Sequence, residues 1–308
     1  MPCSAWRGAT SACRCRCACT ESAVTCGDLL DTPAAGDDTP RHYHRRFEDV
    51  RHHWISLLVV AIVGSIAAGT ASGQVRAAAP PGAYTPPRTA DGKPDLQGVW
   101  QVLNTASWDI QDHSARLGVP AGQGVVEGND IPYQPWAAAK KKENFEKRLT
   151  DDPITQCYLP GVPRITYMPH PFQIFQTPGT TVILYEYEHA VRTIYTDRPH
   201  LPGHIDFWLG VSRGRWEGDT LVVDAIDFND KTWFDAAGNF HSDELHVVER
   251  YTRTGPDHIA YEATIEDPKV FTRPWKMTMT LYRRTEPNIQ LLDYECNALA
   301  EEAAGRLK

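Results

Sequence analysis

From residue 172 onward the apolar residues fall on alternate positions in short runs, separated by polar turns, and helical spacing is almost absent. The runs 172–176, 181–188, 191–196, 215–216, 221–228, 245–252, 259–265, 275–282 and 289–294 each predict a strand. Between them stand turn formers: Pro178-Gly179, Glu217-Gly218-Asp219, Gly255-Pro256-Asp257 and Asp267-Pro268. An earlier strand is expected over 96–102, with Trp100 and Val102 on one face. Evenly spaced strands without intervening helices predict an all-β fold, an antiparallel up-and-down meander closing into a lipocalin-like barrel. One short helix is predicted near 135–149, opened by Pro135 and stopped before Asp151-Asp152-Pro153. The stretch 104–134 is rich in Gly, Asn and Asp and reads as a long loop, which at that length is expected to cover a cavity mouth.

The beginning of the chain follows a different pattern. Residues 1–49 contain Cys3, Cys13, Cys15, Cys17, Cys19 and Cys26 in a Cys-Arg alternation, then a Pro/Asp/Thr stretch without periodicity. No Cys-x-x-Cys pair occurs there, so a start placed too early, or disorder, is preferred to a metal-binding tract. Residues 50–73 have the order of a signal peptide: Arg51-His52-His53, an apolar run from Trp54 to Ala68, then Ala71-Ser72-Gly73 before Gln74. That run is shorter than the ~20 residues needed to cross a bilayer, so no stable membrane span is expected after processing. The expected organisation continues with a flexible arm over 74–94, a barrel domain over 95–297 and a tail over 298–308.

Processing would leave Cys157 and Cys296 as the only cysteines, and in an oxidising periplasmic or extracellular setting their pairing is expected; two free thiols are the alternative. Closing so long a loop contributes ~4 kcal/mol in the chain-entropy model. The formal charge of -8 lacks the basic footprint of a nucleic-acid binder. The triplet Lys140-Lys141-Lys142 reads as a solvated helix face.

Gly98-Val99-Trp100 resembles the Gly-x-Trp signature of lipocalin-like (calycin) barrels. That resemblance implies an arginine from the last part of the barrel beside the tryptophan, here Arg283 or Arg284. More closely, 152–296 is similar to a large group of exported bacterial proteins of uncharacterised activity. The shared residues are Tyr185-Glu186-Tyr187-Glu188-His189, Gly214-Arg215-Trp216-Glu217-Gly218-Asp219-Thr220-Leu221-Val222-Val223-Asp224, His241-Ser242 and Leu245-His246-Val247-Val248-Glu249-Arg250. The likeness covers about half of the 308 residues and implies a family, without bringing an activity. Arg198-Pro199-His200 and Cys296-Asn297 depart from the group's pattern, so ligand details are expected to differ.

Strand parity supplies the candidate site. Alternation over 181–193 places Ile183, Tyr185, Tyr187 and His189 on one face and Glu186, Glu188 and Arg192 on the other. Tyr185, Tyr187 and His189 are therefore expected to line the barrel, with His189 either a satisfied core histidine or a ligand and general base. The loop 228–245 brings Trp233 and His241 to the mouth, and Trp208 completes the ligand-binding set. Catalytic candidates are His189, His241 and Glu249; Glu249 shares the parity of Leu245, Val247 and Tyr251 and, if inward, needs Arg192, Arg250 or a histidine beside it. His200, His204 and Asp206, with His241, Asp243, Glu244 and His246 from the next long loop and strand and together with His189, form a candidate set for a divalent metal, although the His-Glu-x-x-His spacing is absent. Gly210-Val211-Ser212-Arg213-Gly214 matches a nucleophile elbow in letters only, since a strand follows where the elbow needs a helix.

The favoured function is binding of a small, partly apolar molecule in an aromatic and histidine-lined cavity. The rivals are a lyase, isomerase or hydrolase using His189 with His241 or a carboxylate, and a structural cell-envelope protein. Terminal sequencing of the exported product is expected to read from Gln74. An intact Met1 on a soluble cytoplasmic product would contradict the signal-peptide assignment.

Overall fold

Nine strands pair in chain order, and the last returns to the first, closing a barrel. They are β1 (Gly98–Val102), β2 (Phe172–Thr177), β3 (Thr180–Tyr185), β4 (Val191–Tyr195), β5 (Val211–Glu217), β6 (Thr220–Ile226), β7 (His246–Gly255), β8 (His258–Glu266) and β9 (Trp275–Arg283). The structure is a computed structural model that describes residues 84–203 and 205–306; the expectations for 1–83 and for His204 lie outside the described residues.

The barrel is not wholly antiparallel, and geometry requires this. Around a closed ring the antiparallel junctions must be even in number, so nine strands force at least one parallel junction. It falls between β4 and β5, paired through Ile194↔Ser212 and Tyr195↔Arg213, where 196–210 carries the chain back along the barrel. A parallel pair needs such a crossover; a tight turn cannot supply it.

Helix α1 (Pro135–Glu146) begins at its proline as expected, followed by the short α2 (Arg148–Asp151). Two expectations for the end of the chain are corrected. Residues 289–294 make no strand, because β9 has already closed the ring on β1, and α3 (Cys296–Ala303) stands where a tail was expected. The arm is also shorter than expected, for Arg88 reaches Asp219 in the β5–β6 turn at 2.6 Å.

The inward positions form a filled interior: Trp100, Phe172, Ile174, Ile183, Ile194, Leu221, Val223, Val247, Ile259, Ile265, Met277 and Leu281 are all buried. A guanidinium does lie over Trp100, at 5.8 Å, but Arg253 of β7 provides it, in place of Arg283 or Arg284. Arg283 instead packs on Gly98, whose φ of +136° and whose lack of a Cβ, which would sit 3.1 Å from Arg283 Nε, suit glycine there. Arg284 bonds to Gln101 Oε1 at 2.6 Å.

Charge also enters this core. Arg192 Nη1 and Nη2 donate to Glu249 at 3.1 and 2.5 Å, and Arg192 Nε donates to Ser212 Oγ at 2.9 Å. The hydroxyls of Tyr251 and Tyr261 donate to Glu249 Oε1 at 2.9 and 2.8 Å. Burial first, and the Glu249 charge second, push both tyrosines well above their ordinary range, so they remain donors. Glu249 faces inward as its parity implies. Arg192, expected on the outer face, faces inward too, because the β3–β4 turn resets the alternation and pairs Arg192 with Ile183.

Breaking such a pair leaves an uncompensated buried charge, which costs about 3–5 kcal/mol, whereas replacing both members by apolar groups is often neutral. Arg192→Met and Glu249→Leu are each expected to lower stability by about that amount, and the double substitution to recover most of it. Urea unfolding of the three variants checks this; additive losses would contradict it.

Candidate functional site

Long connections gather at one end of the barrel: 103–171, 227–245 and 267–274, together with the β3–β4 turn. They bury Ile110, Ile131, Ile165, Tyr167, Phe234 and Phe271 in continuity with the barrel core, so this end is plugged. Asp235 organises part of the plug, accepting from the backbone N–H groups of Ile110, Ala237 and Asn239 at 2.9, 2.9 and 3.1 Å. Burial, then the neighbouring charge of Asp109, pushes its carboxyl up to about 6.

A pocket of about 240 Å³ opens in this cap, with Trp108, Arg164, Met168, His170, Tyr187 and Tyr294 among its walls. Arg164 lies in the short 3-10 turn Arg164–Tyr167 and is clamped to Asp152 by two bonds of 2.8 Å, both side chains being buried. Asp152 in turn caps the following turn through the Ile154 N–H at 3.2 Å. The aromatic wall is a packed trio, with ring centroids 4.3 Å apart for His170–Tyr294, 5.6 Å for His170–Tyr187 and 5.5 Å for Tyr187–Tyr294. The Tyr187 hydroxyl donates to the Tyr158 carbonyl at 3.2 Å, and burial, then Glu188, raises its pKa.

Tyr294 belongs to the segment after β9, which crosses to this end and is fastened there. Leu292 N–H donates to Glu186 Oε2 at 2.8 Å and Glu188 N–H to the Tyr294 carbonyl at 3.1 Å. Cys157 and Cys296 form a disulfide across the same place. The other oxygen of Glu186 lies 3.4 Å from His170 Nδ1.

Of the ligand-binding residues expected from the sequence, Tyr187 lines this pocket. Trp208 does not line it but stacks at 5.1 Å on Tyr158, whose carbonyl accepts from the Tyr187 hydroxyl. Tyr185 is buried in the barrel, and Trp233 pairs with Phe240 inside its own loop. His189 is corrected: it does not face the lumen. Strand β3 ends at Tyr185, and Glu188 and His189 take φ of 53° and 49°, so the alternation breaks and the His189 side chain is 45% exposed near Asp293 and Glu295. His241 is held by both nitrogens, Nε2 with Thr232 Oγ1 at 2.6 Å and Nδ1 with the Ser242 carbonyl at 2.8 Å. Burial lowers its pKa, and with both nitrogens engaged it serves the loop. Glu249 is sealed in the barrel, and Ser212, on strand β5, is buried against Arg192.

Of the metal candidates, the fold brings His200 and His246 together on one carboxylate, while His189 and His241 stand elsewhere. His200 lies on the outer wall with Asp224 at 3.0 Å, shared with His246 at 3.0 Å, and His246 reaches Glu266 at 3.3 Å. Asp206 lies in the same crossover. Among the described residues no group of three His, Cys, Asp or Glu side chains is arranged to hold a metal ion.

Parity could not find Trp108, Arg164, His170 or Tyr294, because none lies on a strand. The usable signal was the cysteine pair: joining Cys157 to Cys296 places Tyr294 beside the segment leading to His170. No family model, curated protein or solved structure matches the chain. Fold and site together define a closed nine-stranded β-barrel with an aromatic pocket in the cap at one end.

The outer-wall cluster has a pH signature. His246 is held above 6.5, first by its bond to Asp224, and Asp224 below 3.8, first by its bond to His246. Their contribution is present between those values, is lost below as Asp224 protonates, and is lost above as His246 deprotonates through its raised pKa. His246→Gln is expected to remove a stability difference of at most about 1 kcal/mol between mildly acidic and alkaline pH. Urea midpoints for both proteins across that interval measure it, and an unchanged profile would contradict the assignment.

Proposed function

We propose that this protein is an exported binder of a small, partly apolar molecule, held in the cap pocket. The observation that carries the reading is convergence: three regions far apart in sequence, Trp108, the ends of the β2–β3 hairpin with His170 and Tyr187, and Tyr294, meet at one pocket, and a disulfide fastens the last of them. A pocket of about 240 Å³ lies below the ~300–1,000 Å³ of drug-sized sites, so the ligand is about the size of a single substituted ring. The barrel lumen is the poorer candidate, since Arg192, Glu249 and their tyrosines fill it. Export is supported by the disulfide, and no described helix is long and apolar enough to cross a membrane. The likeness to exported bacterial proteins points the same way.

One observation favours an enzyme as the second reading. His170, on the pocket wall, has Glu186 at its Nδ1, the arrangement of an imidazole oriented by a carboxylate to act as general base. His189 and His241 do not offer this, one being exposed in a turn and the other engaged at both nitrogens.

A thermal-shift screen of single-ring compounds tests the binding reading. A ligand at ten times its Kd adds about 1.4 kcal/mol to stability, enough to register as a higher Tm. Hits are expected to lose their shift in Trp108→Ala and Tyr294→Ala, and unchanged shifts in both variants would contradict the site.

A further inference from the structure

We propose that the molecule taken by the cap pocket is an organic cation, a quaternary or protonated amine; this rests on the binding reading above. Three of the wall side chains, Trp108, Tyr187 and Tyr294, carry rings whose faces are electron-rich, and His170 packs among them. Aromatic faces grouped around a small pocket attract a cation through their quadrupoles, most strongly where water is excluded.

The charges around the pocket have the complementary sign. Arg164 contributes little net field, because Asp152 neutralises it through two bonds of 2.8 Å. Behind His170 stands Glu186, 7% exposed, which has an imidazole and a backbone N–H for partners and no Lys or Arg among the described residues. A buried carboxylate without a permanent counter-charge is costly. Beside the Tyr294 segment lie Glu188, Asp293 and Glu295; the last two face His189 at 3.8 and 3.9 Å but stand largely in solvent, and add only a screened field. The charged side chains on the wall itself, Arg164 and Asp152, cancel, and the one buried carboxylate next to the aromatic wall, Glu186 at His170, has no fixed cation among the described residues, the reverse of what an anionic ligand needs. A neutral ligand would leave the Glu186 charge uncompensated; an ammonium group beside the rings would offset it.

The test compares three probes of one shape: choline, the uncharged 3,3-dimethylbutan-1-ol and the anionic 3,3-dimethylbutanoate, each titrated by calorimetry against the intact, disulfide-bonded protein. Choline is expected to bind about tenfold more tightly than the alcohol, and the carboxylate most weakly. Tyr294→Leu, which keeps apolar bulk without a ring, is expected to erase most of choline's advantage. Tyr294→Phe should retain it. Glu186→Gln, which still offers an acceptor to Leu292 N–H, should reduce it severalfold, so the proposal stays testable if Tyr294→Leu fails to fold. Equal binding of alcohol and choline, or tightest binding of the carboxylate, would overturn the cation assignment while leaving the pocket as a binding site. Silence from all three probes and from the single-ring screen would overturn both.

Discussion

The buried pair between Arg192 and Glu249 is the constraint around which this barrel is arranged. It joins β4 to β7 across the lumen, and its cost sets much of what surrounds it. A carboxylate removed from water needs donors, and here a guanidinium and two tyrosine hydroxyls supply four, three to Oε1 and one to Oε2. Tyr251 and Tyr261 thus serve as core volume and as hydrogen-bond donors together. The polar centre is flanked by layers of Ile, Val, Leu and Met that keep water away. A lumen built in this way is filled by its own side chains.

The pocket lies in the cap instead, and chain connectivity explains how. After β9 closes the ring, the remaining chain travels back to the plugged end, where Glu186 and Glu188 catch its backbone and Cys296 bonds covalently to Cys157. The pocket wall is thereby assembled from residues more than a hundred positions apart. Asp152, Arg164 and Asp235 stiffen the neighbouring turns with buried charge, so the aromatic rings stand on a rigid support.

How far the sequence could be read follows from where each residue stands. The strands are legible because period-two alternation operates directly on side-chain direction; parity puts Glu249 on one face with Leu245, Val247 and Tyr251, while which face is inward is decided by the fold. The same rule failed for His189 and Arg192 for one reason: two successive residues with positive φ, neither of them glycine, ended the alternation at a point where no Gly or Pro marked it. The parallel β4–β5 junction was hidden because it is a property of the ring as a whole, and no local pattern encodes whether the number of strands is odd. The site was the least legible part. Trp108, Arg164 and His170 lie in irregular segments whose positions depend on tertiary hydrogen bonds, and a sequence carries no period for those.

The short β4–β5 junction also gives the barrel a direction of weakness. A closed ring has no free edge to recruit another chain, and its hoop strength is that of its thinnest seam. Here the seam rests on Ile194↔Ser212 and Tyr195↔Arg213, with the bond from Arg192 Nε to Ser212 Oγ bridging it from inside. The interior charge thus acts as a rivet: the arginine that neutralises Glu249 also fastens the one junction the backbone holds lightly. Without that bond the seam would rest on its two backbone pairs, and it is there that a closed ring would first open to present the unpaired edges its closure abolishes.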